Sequence, residues 1–155
     1  IDLVKLLETV TSDAQFEANT EQQSVEVLFD CDLEEAIVAT AGDLLQKGFE
    51  NIVRNAINYT QPDTVVTVTL QRKDSHYVVT VTDEGPGVPA ADLENIFDAF
   101  YRIDQARGRD SGGYCLGLAI IKQAIEQHNG SVVSTNTMGG LQITVLLPVE
   151  TSSGP

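Results

Sequence analysis

The segment VVTVTLQRKDSHYVVTVTD, residues 65–83, constrains the fold of this chain more than any other stretch. Two runs rich in β-branched residues alternate apolar and polar side chains on either side of the polar turn KDSH. Alternation with a period of two is typical of strands that bury one face, and β-branched residues favour that conformation. The segment therefore predicts an antiparallel hairpin whose apolar face must be covered by other elements.

Helical patterns supply that cover. Residues 2–18 carry apolar side chains at helical spacing, and residues 43–60 form a wider apolar stripe that starts after Gly42 and stops before Pro62. The other expected elements are strands in SVEVLF and EAIVAT, a short helix near ADLENIF, and a helix LGLAIIKQAIEQHNG capped by Gly130. A second hairpin is expected from SVVSTNT and LQITVLLP, with a turn at Gly139-Gly140. Hairpins with helices gathered on one side predict an α+β fold, a two-layer sandwich.

Composition narrows the functions available. The chain has 155 residues, 42% of them hydrophobic, which suffices for one domain with a substantial core. Acidic residues outnumber basic ones by 23 to 9 and give a net charge of −14, which would repel phosphate backbones. We therefore expect no nucleic-acid partner. Two cysteines without metal-ligand spacing favour a reducing compartment, and neither a membrane span nor a signal peptide is apparent.

Polar residues suited to a nucleotide occur first in the helix of residues 43–60. Asn51, Asn55 and Asn58 fall along one side of it, and an amide oxygen is a neutral ligand that suits Mg²⁺. On spacing alone, a solvated helix face is the commoner explanation. Arg54 and Tyr59 lie off the apolar stripe, so they are candidates to flank a ligand.

Two further stretches follow along the chain. In VTDEGPGVP a strand ends at Asp83, whose carboxylate disfavours a triphosphate but can accept from an exocyclic amine such as that of adenine. A plain turn of Asp, Gly and Pro is the alternative. In IFDAFYRID, aromatic residues typical of a core precede Arg102.

The stretch SGGYCLGLAI, residues 111–120, has glycines directly ahead of a helix. Free backbone at a helix N-terminus presents N–H groups and a positive dipole end to an anion such as phosphate. Because Arg102, Arg107 and Arg109 come shortly before it, this segment could close over phosphates as a lid. An ordinary mobile loop that ends at a helix cap is the alternative.

In their order and spacing these four stretches resemble the N, G1, F and G2 boxes of the ATP-binding catalytic domain of sensor histidine kinases. That fold is shared with gyrase, the Hsp90 chaperones and the MutL repair proteins. FYRIDQARGRDSGG and the N box are most similar to envelope-stress sensor kinases of gamma-proteobacteria. The resemblance implies a site for ATP and Mg²⁺ between two helices on one face of a mixed, mostly antiparallel sheet.

The resemblance also implies roles for single residues. Asn51 and Asn55 would be the N-box pair, with Asn55 as the Mg²⁺ ligand, and Asp83 would accept from the adenine amine. Arg102 and Arg107 would neutralise charge on the transferred phosphoryl group, so these two and Asn55 are the catalytic candidates. The remaining candidates for nucleotide contacts are Arg54, Asn58, Tyr59, Gly85, Gly87, Gly113, Tyr114, Cys115, Leu116, Gly117 and Leu118.

The chain departs from the family pattern at three of these positions. The usual G2 run is close to GGTGLGL, and here Tyr114 and Cys115 replace the threonine and the middle glycine. A side chain at a position that requires positive φ costs roughly 1–2 kcal/mol. Asn58 stands where relatives often have Lys or Arg. These departures leave the strength of ATP binding open.

The resemblance implies a larger parent protein. Residues 1–18 would lead in from a missing dimerisation domain, residues 19–149 would form the ATP-binding catalytic domain, and residues 150–155 would be a tail. The partners would be that dimerisation domain, which carries the acceptor histidine, and a response regulator. The parent would be anchored in the bacterial inner membrane with this part on the cytoplasmic side, and the piece itself would be soluble and monomeric.

Two alternatives to a kinase domain stay open. The first is a nucleotide-binding or docking module whose altered G2 box supports weak transfer or none. The second is an ATPase of the same fold that uses a glutamate near the N box, and Glu50 precedes Asn51. His76 and His128 are both expected on the surface, so the chain alone should not phosphorylate itself.

Overall fold

A computed structural model describes residues 1–20, 24–38, 43–85, 119, 121–137 and 139–149, except the side chains of Asp43 and Tyr59. The helix expected near ADLENIF, the segment with Arg102 and Arg107, and the stretch predicted to bind phosphate, residues 113–118, lie outside these residues.

Five strands form one sheet. They are β1 (Val25–Cys31), β2 (Thr64–Lys73), β3 (His76–Thr82), β4 (Ser131–Thr137) and β5 (Gly140–Pro148). Their order across the sheet is β1-β2-β3-β5-β4, with β1 parallel to β2 and the other neighbouring pairs antiparallel. Both predicted hairpins, β2 with β3 and β4 with β5, are confirmed, as is the mixed, mostly antiparallel sheet.

Helices cover one face of this sheet. They are α1 (Leu3–Thr20), α2 (Asp43–Tyr59) and α3, helical over residues 121–127. α1 packs against α2 and β1, whereas α2 also contacts β2 and β3. The predicted α+β two-layer sandwich is confirmed. Within the described ranges, no helix is both long enough and apolar enough to cross a membrane.

The core lies between the two layers because each element buries one face. On β2, Val66, Val68 and Leu70 are fully buried, while Thr67 and Thr69 between them are half-buried on the opposite face. The apolar stripe of α2 is also fully buried at Leu45, Phe49, Ile52 and Val53. Burial of each such side chain stabilises the fold by about 1.5–3 kcal/mol, so the stripe fixes which side of α2 faces the sheet.

The strand expected in EAIVAT is wrong for the part of it that the structure describes. Ile37 forms only an isolated antiparallel bridge with Asp2. The N–H groups of Ala36 and Val38 donate to the Asp2 carboxylate at 2.9 Å and to the Ile1 carbonyl at 2.9 Å. Because these backbone groups pair with the start of the chain, they do not extend the sheet.

The cap of α3 also differs from the expected one. Asn129, and not Gly130, adopts the left-handed conformation, with φ of 63°. The Gly130 N–H donates to the Ile125 carbonyl at 2.9 Å and the Asn129 N–H to the Glu126 carbonyl at 3.1 Å, which is a Schellman motif. Gly130 is required for another reason, because a Cβ there would overlap the Leu146 carbonyl oxygen on β5.

Candidate functional site

Asp83 is a buried carboxylate at the end of β3. Asp83 directly follows the last residue of β3, and it is only 5% exposed. Its Oδ1 accepts from the Gly85 N–H at 2.9 Å and from the Leu141 N–H of β5 at 3.2 Å. None of the hydrogen bonds between described residues uses Oδ2. Among the described residues, the carboxylate is therefore fixed through Oδ1 alone.

The surroundings of Asp83 shift the pKa of its carboxyl group. Burial raises the pKa of Asp83 above its ordinary value of 3.8, and the two backbone hydrogen bonds oppose this by lowering it. Burial is the larger effect because it removes water from the charged form. A desolvated carboxylate gains more from a hydrogen-bond donor than a hydrated one does.

Hydrogen bonds hold the end of α2 against the end of β3. The Glu84 N–H donates to the Thr60 hydroxyl at 2.9 Å, and the Gln61 N–H donates to the Glu84 carbonyl at 3.3 Å. Thr60 directly follows α2, and Glu84 directly follows Asp83. The structure thus brings the C-terminal part of α2 beside the Asp83 carboxylate.

The three asparagines of α2 differ in exposure. Asn51 is half-buried, Asn55 is buried with 7% of its surface exposed, and Asn58 is exposed. Asn55 is 7% exposed, and no hydrogen bond between described residues uses its amide. An amide in that situation is a candidate ligand for a metal ion or a polar ligand group.

Arg54 and Glu50 have partners on the protein. The Arg54 Nε lies 3.2 Å from Glu17 Oε1 on α1, and both side chains are about half exposed, at 51% and 47%. Glu50 Oε2 accepts from Gln46 Nε2 at 3.4 Å, one turn earlier on α2. The predicted nucleotide contact of Arg54 and the ATPase role of Glu50 stay predictions, and the structure gives each side chain a structural partner.

Several predicted site residues lie outside the described part of the chain. This holds for Gly87, Arg102, Arg107, the side chain of Tyr59 and the whole of residues 113–118. Gly85 is described, and it is half-buried next to Asp83. His76 and His128 are both half-buried, and His128 Nδ1 lies 2.7 Å from the Ala124 carbonyl oxygen.

Two residues that hold Asp83 were missed in the sequence. The Gly139-Gly140 pair was interpreted as a turn only, yet a Cβ on Gly140 would overlap the Asp83 carbonyl oxygen and lie 2.8 Å from its Oδ1. Leu141 supplies the second N–H to that carboxylate. Gly140 is the first residue of β5, and a glycine inside a strand is the available signal for a close backbone approach.

The profile of one protein family matches residues 40–151, more than half of the chain, and its description is histidine kinase-, DNA gyrase B- and HSP90-like ATPase. The chain belongs to this family. The match begins just before α2 and continues past β5, so it includes Asn55, Asp83 and the stretches between them. The family expected from the four boxes is therefore confirmed.

Relatives within the family are named sensor histidine kinases. CpxA of Escherichia coli strain K12 is 45% identical over 106 residues, which are 68% of this chain and 23% of CpxA. The probable sensor histidine kinase TcrY of Mycobacterium tuberculosis H37Rv is 33% identical over 152 residues, 97% of this chain and 31% of TcrY. The chain thus spans less than a third of the length of each of these relatives. The 45% identity confirms the expected similarity to CpxA.

A solved structure shows the same fold. The mycobacterial sensor histidine kinase MprB superposes with a TM-score of 0.82 at 24% identity, covering 97% of this chain and 96% of that one. The superposition extends over nearly the whole chain, so it includes α1 as well as the sheet and α2.

Proposed function

We propose that this chain is the catalytic and ATP-binding domain of a two-component sensor histidine kinase. It binds Mg-ATP and donates the γ-phosphate to a histidine on a separate dimerisation domain of the same protein. A response regulator then receives the phosphoryl group. The parent protein is anchored in the bacterial inner membrane, with this domain on the cytoplasmic side. Family membership and the names of the relatives support this proposal.

The observation that carries the proposal is the state of Asp83. Its Oδ1 is occupied by two backbone N–H groups, while Oδ2 takes part in no hydrogen bond between described residues and is the acceptor that we assign to a ligand. An exocyclic amine such as that of adenine is a donor that fits this acceptor, whereas a phosphate is an acceptor and would be repelled. The base therefore binds at Asp83, and Gly85 beside it leaves room for the base.

The phosphates then extend from Asp83 toward α2. The Asn55 amide is a neutral oxygen ligand without a partner among the described residues, and this fits Mg²⁺, which prefers oxygen ligands. Bound Mg²⁺ would neutralise charge on the phosphate oxygens. Asn51, one turn earlier on the same side of α2, is the second amide available to this end of the ligand.

Transfer itself is assigned to residues beyond the described part of the chain. Arg102 and Arg107 neutralise charge that develops on the transferred phosphoryl group, and residues 113–118 bind the phosphates through backbone N–H groups. Such a reaction depends on positioning and electrostatic stabilisation, so the protein supplies geometry and positive charge and no covalent intermediate.

Phosphotransfer to an added acceptor tests the proposal. The chain is mixed with γ-labelled ATP, Mg²⁺ and a dimerisation domain from a relative such as CpxA, and acid-labile label on that domain is followed over time. We expect label on the acceptor domain, none on this chain alone, and a loss of transfer in an Asn55→Ala variant. The matched control is Asn19→Ala, an exposed asparagine on α1.

The two alternatives give different results in the same experiment. ATP binding without transfer to any acceptor would favour the docking module, for which the Tyr114 and Cys115 substitutions are the motivating observation. Steady release of phosphate by the chain alone, abolished by Glu50→Gln, would favour the ATPase. Absence of ATP binding would reject all three hypotheses.

A further inference from the structure

Glu84 is joined to both ends of the loop between α2 and β2. Its N–H donates to the Thr60 hydroxyl at 2.9 Å, and its Oε2 accepts from the Val65 N–H at 3.0 Å. The Thr60 hydroxyl also lies 2.7 Å from the Thr64 hydroxyl. We call this hydrogen-bonded set of Thr60, Gln61, Thr64, Val65 and Glu84 the Thr60–Glu84 junction.

The junction connects the two candidate ligand-binding elements. Thr60 follows the last residue of α2, and its N–H donates to the Ala56 carbonyl at 2.9 Å, so it continues the hydrogen bonding of the helix. Glu84 is the residue after Asp83. A shift of Glu84 against Thr60 would therefore change the separation of the Asp83 carboxylate from the Asn55 amide.

Asp83 has an anchor of its own. Its Oδ1 is held by the N–H groups of Gly85 and Leu141, and its own N–H donates to the Leu141 carbonyl at 3.0 Å. None of these bonds involves Thr60. Loss of the Thr60 hydroxyl would thus leave the carboxylate attached to β5. Between the end of α2 and Glu84 it would leave only the bond from the Gln61 N–H to the Glu84 carbonyl among the described residues, so small shifts of this end of α2 against Asp83 would be less restrained.

We propose that Thr60 and Glu84 are positioning residues that set the distance between Asp83 and Asn55 for a nucleotide. This inference rests on the proposed function. A ligand that extends from Asp83 to Asn55 needs the correct separation, whereas a ligand that reaches only Asp83 does not. ATP extends to both residues, and adenosine, which lacks the phosphates, reaches only the first.

The test compares the affinities for ATP with Mg²⁺ and for adenosine in Thr60→Val. Valine keeps the shape of threonine and removes the hydroxyl, and Thr60→Ser restores a hydroxyl. The matched control is Thr69→Val, since the Thr69 hydroxyl pairs with that of Thr80 on the open face of the sheet. We expect Thr60→Val to bind ATP about three- to tenfold more weakly, the loss typical of one hydrogen bond, with adenosine affinity unchanged. The Ser variant and the control should bind like the unaltered chain.

Three results would overturn the inference. If Thr60→Val binds ATP as tightly as the unaltered chain does, a positioning role is excluded. If Thr60→Val loses as much affinity for adenosine as for ATP, the substitution has damaged the site in general. Failure of the unaltered chain to bind ATP would reject the proposed function and the inference with it, and only this result affects both. If Thr60→Val does not fold, Glu84→Ala replaces it, because that exposed side chain bonds Val65 and no other residue of the described ranges. The same selective loss of ATP affinity is then expected, and its absence rejects the inference.

Discussion

At the scale of single residues, Asp83 combines burial with an oxygen available to a ligand. The residue is charged at neutral pH only at a cost, because burial raises its pKa above 3.8. The folded state therefore binds this proton more tightly than the unfolded state does. It follows that the contribution of Asp83 to stability is greatest at low pH and is lost as the pH rises through the folded-state pKa.

Asp83→Asn should raise the stability of the fold at pH 7 and weaken the binding of adenine nucleotides. The asparagine Oδ1 can still accept from Gly85 and Leu141, and the residue carries no charge, so we expect a higher free energy of unfolding than that of the unaltered chain at pH 7. The difference should shrink as the pH falls through the folded-state pKa and should be smallest below 3.8, where the carboxyl is protonated in both states. Adenine nucleotides should bind more weakly because an amide N–H₂ would face the base amine.

Urea unfolding at pH 4 and pH 7 measures the change in the free energy of unfolding, and calorimetry measures the change in nucleotide affinity. Asp30→Asn, at an exposed position on β1, is the control for removal of one negative charge. A less stable Asp83→Asn at pH 7, or a stability difference that does not vary with pH, would contradict the role of burial.

Gly140 is a second position where a single added atom should change the stability of the fold. A Cβ there would overlap the Asp83 carbonyl oxygen, so we expect Gly140→Ala to lower the free energy of unfolding by about 1–3 kcal/mol, as overpacking does. Gly139→Ala is the neighbouring control, since nothing lies within 4 Å of its added Cβ. Urea unfolding of both variants tests this, and equal stabilities would show that β3 and the turn can separate without cost.

At this scale the sequence predicted Asp83 and missed what holds it. The end of an alternating strand, followed by glycines, pointed to a carboxylate at the sheet edge. Its partner Leu141 is 58 residues away, and the contact depends on the pairing of β3 with β5. Local patterns define strands and do not define which strands pair, so the second half of the site was not predictable from them.

At the scale of elements, the contact of α2 with α3 depends on Gly48. Glycine in the middle of a helix costs about 1 kcal/mol relative to alanine, so its presence in α2 requires a reason. The reason is Ile121 of α3, whose Cβ and Cγ1 would each lie 2.9 Å from a Cβ on Gly48. The close approach of the two helices therefore explains the glycine at position 48, although glycine has a low helix propensity.

Gly48→Ala should therefore destabilise the fold despite its better helix propensity. The expected gain of about 1 kcal/mol is outweighed by a packing cost of about 1–3 kcal/mol. In a double-mutant cycle, Ile121→Ala removes the Cγ1 and Cδ1 atoms that the added Cβ would meet and keeps only the contact with the Ile121 Cβ. The double variant should therefore be more stable than the sum of the single effects predicts. Additive effects in thermal or urea unfolding would show that the two helices do not contact as described.

The elements with strong periodicity were predicted well, and those decided by tertiary contacts were not. The stripe of α2 and the alternation of β2 and β3 come from local sequence, and both were confirmed. EAIVAT has the composition of a strand, but its backbone groups pair with Asp2 and Ile1. The left-handed residue at the end of α3 is Asn129, because asparagine tolerates that conformation and Gly130 is needed beside β5.

At the scale of the whole molecule, a chain with a net charge of −14 is proposed to bind a polyanion. The charge argues that phosphates are bound locally, through backbone N–H groups, a metal ion and the few arginines near the G2 stretch. The fold class and the family were predictable because four short stretches occur in one order. Nucleotide affinity was not, because Tyr114 and Cys115 alter the stretch that we propose contacts the phosphates.

Calorimetric titration of ATP into this chain, with and without Mg²⁺, tests the proposed nucleotide site most directly. The titration is repeated with a variant that carries Tyr114→Thr and Cys115→Gly, and folding of each sample is checked by its urea unfolding curve. We predict saturable binding by the unaltered chain that is tighter with Mg²⁺ and weaker in Asp83→Asn. Binding only after the two reversions would mean that the phosphate-binding stretch is disabled in this chain. No binding by either folded protein would contradict a nucleotide site at Asp83 and Asn55.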